Sequence, residues 1–190
     1  MPKFHIEIVK QGWITSDDPG YDAAARDLCS HGDIRLIIGG QTVAAGEGQR
    51  QYGISEAALS LLRTLESDTL DQSDKPFADR LIPHGCGAIL MMGCPIGIDW
   101  TVRHVNEGVH ISDVVRYDVT NEAEAMRYSG LEVEMSLDEY RDEITAFAQR
   151  AKEPFDGIAK SYYDDLDRED YLRFWEEYDR LLEKAVGASS

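Results

Sequence analysis

The sequence predicts an α+β fold: a mainly antiparallel sheet packed against two or three helices, with a C-terminal helical extension. Three observations lead there. Several short runs alternate apolar and polar residues or are rich in β-branched ones, as half-buried strands require. The strand-like runs in the middle of the chain follow one another through a short Asn/Gly turn, as hairpins do. Later segments repeat apolar residues at three- and four-residue spacing, the period of an amphipathic helix. At 190 residues the chain suits one domain with an extension, divided as residues 1–155 for the α+β body and 156–190 for an acidic helical extension packed on it.

In order, Phe4, Ile6 and Ile8 alternate with His5 and Glu7 as a strand. Gly12 to Asp33 reads mostly as loop, with a short helix within Tyr21–Leu28. Ile34–Ile38 is a β-branched strand ended by Gly39-Gly40, and Gln41–Ala45 returns as its hairpin partner. Ser55 looks like an N-cap for a helix from Glu56 to about Glu66, with Ala58, Leu59, Leu62 and Leu65 on its apolar face. Ser67–Asp79 is polar and expected to be an exposed, mobile loop. Ala88–Met92 and Ile98–His104 read as strands, the second with Asp99, Thr101 and Arg103 on its polar face. Asn106-Glu107-Gly108 is a turn whose glycine can take positive φ, Val109–Tyr117 returns, Thr120–Arg127 is helix-prone, and Leu131–Met135 adds a strand. Ser136 and Glu139 form a capping box ahead of Leu137, Tyr140, Ile144, Phe147, Ala148 and Ala151, and Pro154 ends that helix. Asp167 opens the last helix, whose Tyr171, Phe174, Trp175, Tyr178, Leu181 and Leu182 form an aromatic and aliphatic face; Gly187–Ser190 reads as a frayed tail.

The charge is lopsided. Asp and Glu number 36 against 19 Lys and Arg, a formal net charge of −17. From Asp118 to Lys184 there are 20 acidic and 9 basic residues, so about two thirds of the excess lies in the last third of the chain. Such a chain repels nucleic acid and anionic membranes and attracts basic proteins. The first residues alternate instead of forming a signal-peptide core, and the longest apolar run, Ala88–Ile98, is broken by Gly93, Pro95 and Gly97, far short of the roughly 20 residues of a membrane span. With three cysteines, a reduced, cytoplasmic protein is expected.

Chemistry-bearing residues are sparse. Cys29, His31, His84, Cys86 and Cys94 are candidate metal ligands by element preference, although no CxxC or HExxH spacing is present. Cys86 beside His84 could pair as nucleophile and base; both Cys29 and Cys86 could equally be small apolar core residues. Glu132, Glu134, Asp138, Glu139, Asp142 and Glu143 read as solvated faces of a strand and a helix, not as convergent catalytic acids. Gly39-Gly40 and Gly46-Glu47-Gly48 are turns, since neither matches a phosphate-binding pattern.

Leu81-Ile82-Pro83-His84-Gly85-Cys86-Gly87 through Cys94, then Ile98-Asp99-Trp100-Thr101-Val102-Arg103-His104, and Met135–Tyr140 through Phe147-Ala148 to Phe155, resemble small bacterial proteins of an uncharacterised immunity-protein-like family. The resemblance covers about Phe4 to Phe155, is structural in type and brings no catalytic residues. It implies an inhibitor that captures a basic toxin or nuclease domain. Tyr171, Trp175 and Tyr178 are then candidate anchors, and Asp164, Asp165, Glu176 and Asp179 supply attraction. No cofactor is implied and the oligomeric state is open. The competing readings are a metal-binding or Cys/His-dependent enzyme built on the His84–Cys94 loop, and a self-associating structural module.

Overall fold

A computed structural model of the chain describes residues 2–14, 16–46, 52–69, 80–85, 96–118 and 125–188. The described residues form two antiparallel sheets and four helices, an α+β architecture. In the first sheet β1 (Phe4–Gly12), β2 (His31–Ile38) and β3 (Gln41–Ala45) lie in chain order, and β4 (Tyr52–Gly53) pairs with the start of β2. In the second, β5 (Ile82–Pro83), β6 (Gly97–Val105) and β7 (Gly108–Tyr117) are neighbours, and β7 also pairs with β8 (Met126–Arg127) and β9 (Val133–Ser136). The helices are α1 (Ala23–Arg26), α2 (Ile54–Arg63), α3 (Leu137–Lys152) and α4 (Asp165–Ala188).

One hydrophobic core joins both sheets to α2, α3 and α4. Phe4 and Ile6 of β1 point inward with Ile34, Leu36 and Ile38 of β2. Trp100 of β6 is fully enclosed, its ring 5.8 Å from that of Phe4, while Tyr140 of α3 meets Phe4 edge-on at 5.1 Å. The Tyr140 hydroxyl is satisfied by Thr64 Oγ1 at 2.9 Å, so a polar group enters the core without an orphaned atom. The capping box forms as expected, with Ser136 Oγ accepting from Glu139 N and the Glu139 carboxylate accepting from Ser136 N. A 3-10 turn at Glu153–Phe155 follows α3 and contains Pro154.

The structure departs from the sequence expectations in several places. Ser55 lies inside α2, and the N-cap is Gly53. Ser55 Oγ instead accepts from Ser30 N at 3.0 Å, tying the helix to the start of β2. Asp99 and Thr101 are buried, because β6 runs between β5 and β7 and both its faces are covered; Asp99 Oδ1 accepts from Leu81 N. The polar segment after α2 begins docked: Thr69 N donates to Val102 O and Asp68 accepts from His104 N. Met126–Arg127 is a strand, not helix, drawn into the ladder by β7. The last helix continues through Ala188. The Ala88–Met92 strand, most of the Ser67–Asp79 loop and part of Thr120–Arg127 lie outside the described residues.

In the β6–β7 turn the left-handed residue is Asn106, with φ 55°, while Gly108 is already in the strand. A Cβ at Gly108 would stand 2.4 Å from the Met135 carbonyl oxygen of β9. The glycine therefore serves close approach of two backbones, not the turn. Gly108→Ala should destabilise the protein by about 1–3 kcal/mol through forced separation of β7 and β9, read as a lower urea midpoint with unchanged slope.

Candidate functional site

Two regions hold the candidate residues. The first surrounds Cys29 and His31, where α1, β2, α2 and the segment before α4 meet. Asp27 is buried and its carboxylate has several partners: Oδ2 accepts from Ile14 N at 2.8 Å and Oδ1 from Cys29 N at 3.2 Å. The same carboxylate holds His31 Nε2, at 3.0 Å from Oδ2 and 3.2 Å from Oδ1. His31 is buried, and its Nδ1 has no hydrogen-bond partner among the described residues. That nitrogen faces Gly85, where a Cβ would come within 2.2 Å of it. Gly85 thus makes room for the imidazole, which no other residue could do at this spacing.

Cys29 is completely enclosed. Burial, with Glu56 and Asp27 nearby, pushes its thiol well above the ordinary range, and the thiol is hydrogen-bonded to Glu56. Burial also raises the Glu56 carboxyl, an effect that the Cys29 bond opposes. A thiol held protonated this way is a poor nucleophile, and the Asp27 carboxylate engages His31 Nε2 while Nδ1 is turned toward Gly85. Among the described residues no three His, Cys, Asp or Glu side chains are grouped so as to hold a metal ion. His84 forms an isolated bridge with Tyr52 at the edge of this region. Cys86 and Cys94 lie outside the described residues.

Lys160 closes the cluster from the C-terminal side. Its Nζ donates to Ala24 O at 2.7 Å and Asp27 O at 2.6 Å, and lies 3.7 Å from the centre of the Trp13 ring. Ser161 N donates to Ala25 O beside it. The segment leading into α4 is thereby pinned to α1. Burial draws the Lys160 ammonium down to about 8, against the pull of Asp27, Cys29 and Asp22. No local sequence signal pointed to Lys160; the Asp27, Cys29, His31 alternation was legible, but only Cys29 and His31 were singled out.

The second region is α4. Phe174, Tyr178, Leu181 and Ala185 face the core. Tyr178 is 0% exposed and its hydroxyl donates to Ala148 O of α3 at 2.7 Å. It is a core residue with no surface to offer, which removes it from the anchors expected from sequence. Trp175 is half-buried among Phe155, Tyr171, Phe174 and Tyr178, with ring centroids 4.5–6.1 Å away. Tyr171 is also half-buried, packed on Tyr162, and burial lifts its phenol to about 12.

The charges of α4 divide by direction. Toward its neighbours, Glu177 takes a two-toothed grip from Arg63 of α2 at 2.8 and 2.6 Å, and the guanidinium holds its carboxyl below the ordinary range. Asp179 pairs with Lys152 of α3, while Lys184 and Arg180 reach Glu66 after α2. Asp164, Asp165 and Glu176 are exposed. Sequence reasoning missed the exposed apolar residues beside them, Tyr163, Leu166 and Leu172. A helical projection of the polar face would have found Leu172.

A groove of about 870 Å³ runs between β1 and α3, lined by Glu7, Glu139, Asp142 and Glu143 together with Lys3 and Arg150. Most of these acids are already occupied: Glu7 by Arg35, Glu139 by the capping box, and Glu143 by His5 and Ile6 N.

Acylation of Lys160 by a water-soluble amine reagent should reach half its maximal rate near pH 8, against roughly 10.4 for ordinary lysines, measured by peptide mapping across pH. Linkage gives the matching sign: the unfolded chain holds this proton more tightly, so this group adds stability as pH rises above about 8. Tyr178→Phe should cost about 1 kcal/mol, the net worth of one buried hydrogen bond, with little loss of helicity by circular dichroism.

Compared with protein-family models, curated proteins and solved structures, the chain matches none.

Proposed function

We propose that this chain is an acidic binding protein, an immunity-like inhibitor that captures and neutralises a basic protein such as a toxin or nuclease domain. The observation that carries this reading is the division of charge on α4. Of its four basic residues, Arg180 and Lys184 pair with Glu66 and Arg173 with Asp170, while Arg168 lies exposed near the start of the helix. The carboxylates Asp164, Asp165 and Glu176 stay exposed, in a chain of net charge −17. A surface of this kind speeds encounter with a cationic partner and selects against anionic ones. It argues equally against nucleic acid as a ligand. No helix among the described residues is long and apolar enough to cross a membrane.

Of the anchors expected from sequence, Trp175 and Tyr171 keep some surface and fit the role of a partly desolvated aromatic contact. The acids supply attraction; the aromatic edge supplies burial. The residues around Cys29 and His31 serve in this reading to hold α4's approach in place, through Lys160 and Asp27.

The test starts from a basic protein co-purified with the chain and identified by mass spectrometry. Its affinity should fall at least tenfold between about 50 and 500 mM salt, as screening shortens the reach of exposed charges. The pair Asp165→Lys and Glu176→Lys should weaken capture further without loss of fold. Affinity that is flat across salt and indifferent to both reversals would remove the electrostatic basis of the proposal.

A further inference from the structure

One edge of the first sheet faces a groove instead of a strand. Among the described residues β1 pairs with β2 alone, so its other side is a sheet edge. The backbone bonds show which groups that edge offers. Gly39, which directly follows β2, donates its N–H to Lys3 O at 2.7 Å. In a planar trans peptide the next N–H, that of Phe4, points the opposite way, away from β2. Two residues on, Ile6 N also points away from β2, for it donates at 3.3 Å to Glu143 Oε2 of α3. Phe4 and Ile6 therefore turn their N–H and C=O groups toward the groove of about 870 Å³ between β1 and α3.

Glu139, Asp142, Glu143, Ala146 and Arg150 recur at three- and four-residue spacing and form the helical wall of this groove. Ala146 is exposed there, a methyl group where a longer side chain would close the space. A second hollow of about 350 Å³ continues along residues 8–11 and shares Ile8 and Arg150 with the first.

We infer that this groove takes an extended, lysine- or arginine-bearing segment of the captured protein, which adds to the edge of β1 as a further strand. This rests on the capture of a basic protein proposed above and names the part that is gripped. The carboxylates of α4 then act at range, on encounter.

The backbone selects an extended occupant. A strand edge is matched by another row of free N–H and C=O groups, whereas a helix uses its own internally. From Glu139 to Arg150 the wall runs about 16 Å at 1.5 Å per residue. That is the length of about five strand residues at roughly 3.3 Å each.

Glu143 selects the charge. Its Oε2 stands where the carbonyl oxygen of a neighbouring strand would stand, so it guards the edge. A strand that claims Ile6 N turns this carboxylate out of its hydrogen bond. His5 Nδ1, 3.0 Å from the same oxygen, is then its one remaining partner among the described residues, and Oε1 has none. Asp142 beside it is exposed and has no ion-pair partner among the described residues. An incoming cation meets both carboxylates; a neutral or acidic strand leaves the displaced one without compensation. A second copy of this chain is disfavoured for the same reason, since pairing β1 with its own copy about a two-fold axis brings two Glu143 side chains together.

The experiment uses the full chain and a fluorescein-labelled peptide of about ten residues that alternates lysine and threonine. One control replaces lysine by glutamine, and the other carries N-methyl groups on the backbone amides. Anisotropy at low salt should show the lysine peptide binding at least tenfold more tightly than either control. Exchange of the Phe4 amide proton, followed by NMR, should slow at least tenfold in its presence. Ala146→Trp, which fills the groove, should weaken binding at least fivefold with circular dichroism unchanged. Asp142→Asn with Glu143→Gln keeps an oxygen for Ile6 N and should remove most of the preference for lysine over glutamine.

An N-methylated peptide that binds as tightly as its parent, with Phe4 exchange unchanged, would overturn strand addition. Binding indifferent to Ala146→Trp and to the paired Asp142 and Glu143 variants would overturn the groove as its place. A dimer seen by light scattering and dissolved by Ala146→Trp would make a second copy the occupant and overturn the basic segment. Strand addition by the lysine peptide in a chain that captures no basic protein would support the groove and overturn the functional reading alone.

Discussion

The contact of Phe4 with Trp100 and Tyr140 is the junction on which the rest of the structure depends. Phe4 belongs to the first sheet, Trp100 to the second and Tyr140 to α3. Each sheet alone would leave an apolar face in water. Joining them through large buried rings removes both faces at once, and the Thr64 hydroxyl bonds the Tyr140 hydroxyl that the junction brings in. α4 then needs only to cover α2 and α3. It does so with Phe174, Tyr178 and Leu181, and the Tyr178–Ala148 bond sets its register against α3.

Elements whose signal is local were legible in the sequence. The Ser136–Glu139 capping box, the α3 stripe, the β2–β3 hairpin and the alternation of β1 all depend on residues a few positions apart, and each is found where its pattern places it. What was not legible depended on partners far away in the chain. Ser55 has the chemistry of an N-cap, yet a Ser30 amide 25 residues earlier claims its hydroxyl. Asp99 alternates like an exposed residue, but strand order buries it against β5. The same holds at the candidate sites. The aromatic face of α4 was visible as a stripe; which of its rings turn fully inward is decided by α3, so Tyr178 passed for a surface anchor. Lys160 owes its character to Asp27, Trp13 and two carbonyls over 130 residues away, which no local pattern encodes.

Electrostatically, the protein separates the two uses of charge. Where a carboxylate meets a neighbouring element it is matched, as Glu177 is by Arg63 or Glu66 by Lys184. Exposed pairs of this kind contribute little each, but they orient α4 against α2 and α3. α4 carries more carboxylates than cations, so a negative excess remains after these pairs form. The buried cluster around Asp27 and Cys29 follows the opposite rule: its charged groups are few and hydrogen-bonded, as low polarity demands.

The orientation of α4 also has an evolutionary side. Residues that hold the helix in place and residues that face outward do not overlap: Phe174, Tyr178, Leu181 and Ala185 do the first, and Asp165, Glu169, Leu172 and Glu176 form the second group. Surface positions of this sort tolerate substitution with little effect on stability. The outer row can therefore drift, be re-charged or be re-spaced between related chains without endangering the scaffold. A lineage built on this fold could change what it recognises faster than it changes its shape.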